Sequence, residues 1–184
     1  MSYANNIHRQ LEDQVQFFEE TFKGQSIEHC STRPGPGAWS ALDCIAHLNL
    51  TLDVTCDEID RKVNRAIEKG QKPNEIYKPG FLGQRFARLL APKEGDVKRR
   101  IKTTKRYSPE HSNESGQAIL QGFRDRMERV KNQVEASKKV SLNRCRINSN
   151  VTPLIKFKLG DTFHIVLAHN ERHIFQARKA LQLT

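Results

Sequence analysis

The chain has 184 residues, 36% of them hydrophobic and 28% charged, a length and balance that fit one ordinary core and leave little room for two. No stretch approaches the roughly 18 to 20 apolar residues of a membrane span, and Met1-Ser2-Tyr3-Ala4-Asn5-Asn6 lacks the apolar core of a signal peptide, so transmembrane and secreted classes are set aside and a cytoplasmic protein is expected. The net charge of +10 keeps nucleic acid, anionic surfaces and anionic small molecules in play without choosing among them.

From Asn5 to Lys23, residues Ile7, Leu11, Val15, Phe18 and Phe22 recur at steps of three and four, which predicts a helix ended by Gly24. The segment from Ser31 to Gly37 holds two prolines and two glycines and reads as a rigid surface loop. Ser40 with Asp43 three residues on resembles a capping box. It opens a second helix to about Lys69, whose stripe of Leu42, Ile45, Leu52, Cys56, Ile59 and Val63 is widened by Ala46, Leu50 and Val54. So wide an apolar arc must touch two neighbours.

Pro73 and Pro79 break the pattern, and a short helix is expected from Phe81 to Leu90, with Phe81, Phe86, Leu89 and Leu90 inward. Lys93 to Pro109 reads as an irregular basic connection, with a cluster from Lys98 to Arg106. A third long helix runs from about Ser115 to Lys138, with Ile119, Phe123, Met127 or Val130, and Val134 on one side. The last spans about Asp161 to Leu181, with Phe163, Val166, Leu167, Asn170, Ile174, Ala177 and Leu181 inside. No run alternates apolar and polar residues for long. The expectation is a single all-α domain, a four-helix bundle with long connections.

His169 and His173, four apart on the last helix, share one face at the flank of its apolar arc, beside Thr162, Val166 and Gln176. His47 sits at the edge of the second helix's arc, with Asp43 one turn back. Three imidazoles from two helices can thus converge, the donor set of a catalytic metal site with an open position for water or substrate. Imidazole does not discriminate sharply among zinc, nickel and iron. A histidine beside an apolar stripe is more often a hydrogen-bonded core residue, so geometry alone leaves both readings open.

His169-Asn170-Glu171-Arg172-His173 is not the metalloprotease H-E-x-x-H, because Glu171 points about 200° away from His169. There is no P-C-x-x-C, no glycine-rich phosphate loop and no G-x-S-x-G. Cys30, Cys44, Cys56 and Cys145 form no C-x-x-C pair and read as reduced packing residues.

The run Ala38-Trp39-Ser40-Ala41-Leu42-Asp43-Cys44-Ile45-Ala46-His47-Leu48, followed about 120 residues later by His169-Asn170-Glu171-Arg172-His173-Ile174-Phe175-Gln176, resembles the two signatures of the DinB/YfiT superfamily. The connection Tyr107-Ser108-Pro109 is similar too. The resemblance implies a four-helix bundle with His47, His169 and His173 as ligands of a divalent metal (Zn, Ni or Fe). Asp43 would then be a candidate to orient His47, and Gln176 to hydrogen-bond a bound water or substrate. Characterised relatives include transferases and isomerases that use low-molecular-weight thiols, so the resemblance implies a small-molecule substrate and a low-molecular-weight thiol cosubstrate, and the expected activity is that of an S-transferase or hydrolase.

The alternative is a non-catalytic basic binding or stress-response protein. Nucleic acid is the less favoured partner, since the basic residues are scattered and the cluster carries one aromatic, Tyr107, only at its end. A homodimer is expected from the wide apolar faces.

Overall fold

The computed structural model describes residues 2–73, 76–92, 103–112, 114–152 and 154–184. Most of the basic connection, residues 93–102 with the first part of the Lys98 to Arg106 cluster, lies outside the described residues.

Four long helices make the body: α1 (Tyr3–Phe22), α3 (Ala41–Glu68), α5 (Gly116–Ser137) and α6 (Leu159–Leu183), with the short helices α2 (Ile27–Ser31) and α4 (Phe81–Leu90) between them. Packing runs α1 on α6, α6 on α3, α3 on α5 and α5 back on α1, so each long helix is flanked by two others, as in a four-helix bundle. The wide arc of α3 explains its central place, since Leu48, Leu52, Cys56 and Ile59 are buried between α5 and α6. Phe18 of α1 meets Phe123 of α5 with ring centroids 4.6 Å apart, and both are fully buried. No helix among the described residues is long and apolar enough to cross a membrane.

The helix ends follow local chemistry. Ser2, Ser26, Ser40 and Ser115 each accept from a backbone N–H in the first turn of the helix they cap. Gly24 takes φ of 74°, a left-handed conformation that stops the chain from continuing as helix after α1. The pyramid of turn signals around residues 31–37 is a loop apart from Ser31, which closes α2.

Two features depart from the sequence expectation. A short antiparallel pair, β1 (Arg146–Asn148) with β2 (Lys156–Lys158), sets Ile147 opposite Phe157 and turns the chain into α6. Each strand is 3 residues long, too short for alternation to be visible.

Helix α4 has the expected bounds but not the expected face. Phe81 is 79% exposed and Leu89 40%, while Gly83 and Leu90 are the buried residues. The reason is steric: a Cβ on Gly83 would lie 2.4 Å from Asp161 side-chain atoms, so α4 docks on α6 through its glycine. Phe86 is set to one side, against Phe157 at 5.3 Å. All four cysteines are free and buried.

Candidate metal centre

The first turn of α3 fixes its rotation. Ser40 Oγ accepts from Asp43 N–H at 3.0 Å, and Asp43 Oδ2 accepts from Ser40 N–H at 3.0 Å and from Arg33 Nε at 2.8 Å. One turn later, His47 is carried inward and is 4% exposed. Its Nδ1 lies 2.6 Å from the Tyr107 carbonyl oxygen, which can only accept, so Nδ1 carries the proton and donates it. The lone pair of His47 is therefore on Nε2.

His47 Nε2 is 3.3 Å from Nε2 of His169 on α6. His173, one turn along α6, closes the group, with ring centroids 4.6 Å from both His47 and His169. One ligand atom from each of the three rings lies within 4.8 Å of the others. Imidazole nitrogens about 2.0 to 2.1 Å from a tetrahedral zinc are about 3.3 Å from one another, so the His47 and His169 pair is already at ligand spacing.

Electrostatics favour neutral rings. Burial is the main cause at all three. It lowers His47, brings His169 down to about 3 with help from His47 and Arg172, and holds His173 well below the ordinary value. Neutral imidazole is the form that ligates a metal. The Gln176 side chain is the hydrogen-bonding neighbour of the buried His173 ring and works against the fall in its pKa. Three neutral rings with one ligand atom from each within 4.8 Å of the others fit a divalent ion.

The rings open on a cavity of about 860 Å³ between α3, α4 and α6. Trp39 covers one side, its ring 5.0 Å from His47 and 5.9 Å from His173. Gln176 lines the same cavity, and its side chain reaches the His173 ring. Cys44 also lines it, but burial pushes its thiol up, which disfavours the thiolate. Glu171 is not part of the cavity wall.

The sequence reading placed His47, His169, His173 and Gln176 together, and the structure brings all four to one cavity. Asp43 is elsewhere: its Oδ2 serves the Ser40 amide and Arg33, while the partner of His47 is the Tyr107 backbone. A backbone carbonyl leaves no residue-type signal, so Tyr107 was legible only as an aromatic in a proline-containing connection. Arg172 and Lys179, also on the cavity wall, were visible in the sequence but carried no mark of their place.

A family model of the DinB superfamily matches residues 10–177, a span that includes all three histidines. No curated protein and no solved structure matches the chain.

Proposed function

We propose that this chain, which belongs to the DinB superfamily, is a metal-dependent enzyme in which His47, His169 and His173 hold one divalent ion and the cavity joins a low-molecular-weight thiol to a small electrophile. The observation that carries the reading is the convergence of three neutral imidazoles at the wall of a large cavity. Three histidines leave a coordination position for a ligand. Bound there, a divalent ion supplies Lewis acidity that lowers the pKa of a thiol.

The chain's own residues do the rest. The Tyr107 carbonyl holds the His47 proton on Nδ1 and so presents Nε2 to the site. Burial keeps the rings deprotonated at neutral pH, so ligation displaces no proton from them. Trp39 shields two of the rings from water. In S-transfer a carbon–sulfur bond forms as the bond from that carbon to its leaving group breaks, and the thiol proton passes to solvent.

The test is elemental analysis of protein purified without chelator, beside His173→Ala. About one ion per chain is expected in the wild type and under a tenth of that in the variant, with thiol transfer to 1-chloro-2,4-dinitrobenzene lost in parallel. Equal metal content in the two proteins would overturn the ligand assignment. Full metal with no transfer from any thiol tried would overturn the reaction.

A further inference from the structure

Apolar side chains scattered singly over a surface are ordinary, but in this protein they are gathered on one side. Among the described residues, the large apolar side chains left exposed lie in three pieces of chain: the stretch that ends in α4, the loop between β1 and β2, and the end of α6, with Ile67 on α3 the one outside them. Helices α1 and α5 expose none. The three pieces are neighbours. Helix α4 packs on α6 and on β2, and Leu89, Val151 and Leu183, one from each piece, stand around the mouth of the cavity.

The shape of this face suits insertion into a soft phase. Leu154 is 91% exposed and Phe81 79%, so each projects from the protein and needs apolar surroundings that can close around it. On α4, Phe81, Leu82 and Leu89 share the outer face with Arg85 and Arg88, which mixes apolar and basic side chains along one exposed strip.

Charge on this side has one sign. Residues 76–92, 136–160 and 172–184 contain no aspartate or glutamate, so every acid of the chain lies outside these stretches. Arg85 and Arg88 of α4 and Lys156 of β2 are exposed. A second copy docked through α4 about a two-fold axis would set these cations against their own counterparts, with no acid in the stretches around them to pair with. An anionic lipid surface supplies the opposite charge at the headgroups and hydrocarbon beneath them.

We propose that α4, the β1–β2 loop and the end of α6 form one face that docks on an anionic lipid surface. Phe81, Leu82 and Leu154 enter the headgroup boundary, and Arg85, Arg88 and Lys156 pair with lipid phosphates. The docking is peripheral, since no helix among the described residues is long and apolar enough to cross a membrane. It brings the cavity mouth to the lipid and requires no metal at the histidines, so it stands or falls apart from the enzyme reading.

The experiment is co-sedimentation of the full chain at pH 7.5 with vesicles of phosphatidylcholine alone, or of phosphatidylcholine with about one third phosphatidylglycerol. Binding to the anionic vesicles is expected to be about thirtyfold tighter or more, and to weaken as salt is raised. Arg85→Gln with Arg88→Gln should cost about thirtyfold on anionic vesicles, and Phe81→Ser with Leu82→Ser at least about tenfold. All four side chains are exposed, so helix content is expected to stay at the wild-type level. Lys131→Gln with Lys138→Gln removes the same charge from α5 and its C-cap, diagonal to α6 in the bundle, and should stay within about twofold of wild type.

No binding to either vesicle, equal binding to both, or equal losses in the arginine pair and the lysine pair would overturn the proposal. So would a wild-type dimer that binds no vesicles and dissociates in Phe81→Ser with Leu82→Ser, since the face would then belong to a second copy.

Discussion

Helix α3 has two working faces, and they treat charge in opposite ways. Toward α5 it presents Asp53, Asp57 and Asp60, each met by an arginine: Arg126 pairs with Asp53 at 2.7 Å, and Arg129 pairs with Asp57 at 2.8 Å and with Asp60 at 2.5 Å. Gln133 adds donors to the Cys56 carbonyl at 2.8 Å and to Asp60 at 2.7 Å. Toward α6 the same helix presents His47, set against two more imidazoles. The α5 face spends its polar residues on holding two helices in register. The α6 face accepts depressed pKa values on three neighbouring rings, a cost that a bound ligand can offset.

The widest gap between the faces should open on acidification. In metal-free protein the folded-state pKa of His47, His169 and His173 lies below the unfolded value near 6.5, with His169 at about 3. Below about pH 6.5 the unfolded chain takes up protons that the folded chain refuses. Stability is thus fully present above that pH and falls as pH drops toward 3, by up to about 1.4 kcal/mol per pH unit for each ring. Urea titrations in chelator at pH 7.5, 6.5, 5.5 and 4.5 measure the slope, and His173→Leu should reduce it. A wild-type midpoint that stays level from pH 7.5 to 5.5 would show that the rings are not held neutral.

The α5 face should yield a smaller effect, confined to stability. Burial works against the Arg129 charge, and its hydrogen bonds to Asp60 and Asp57 more than offset that cost. Because these side chains are partly exposed, solvent screening limits the pairs to about 1 kcal/mol in sum. Arg129→Leu is therefore expected to lower unfolding free energy by about 1 kcal/mol and leave metal content unchanged. Loss of metal in that variant would mean that the faces are coupled, and the contrast between them would fail.

How much of this was legible in the sequence follows the same division. The imidazoles were readable because spacing alone puts His169 and His173 on one face, and because the Ser40 and Asp43 capping pair sets where α3 begins and hence where His47 points. The acid and arginine ladder was not read. Charges at Asp53, Asp57, Asp60, Arg126 and Arg129 have helical spacing too, yet each set by itself looks like a solvated surface, and only tertiary pairing tells them apart. Helix α4 failed for a different reason. Its apolar residues suggested the inner face, whereas the close approach of Gly83 to Asp161 decided it, and an interhelical distance has no local signature.

Asp43 offers the finest test of the contrast, because two roles were open to it and they differ in what they would move. If its carboxylate oriented His47, removing it would cost about 10- to 100-fold in metal affinity. In the structure it accepts instead from the Ser40 amide and from Arg33, and His47 is held by the Tyr107 carbonyl. Asp43→Ala is accordingly expected to cost about 1 kcal/mol of stability through the lost half of the capping box, with zinc affinity within about twofold of wild type. Competition with a fluorescent zinc chelator resolves that difference even where the stability loss is small. A tenfold weaker zinc affinity in Asp43→Ala, at unchanged helix content, would move Asp43 to the α6 side of the comparison and make the start of α3 part of the site rather than its support.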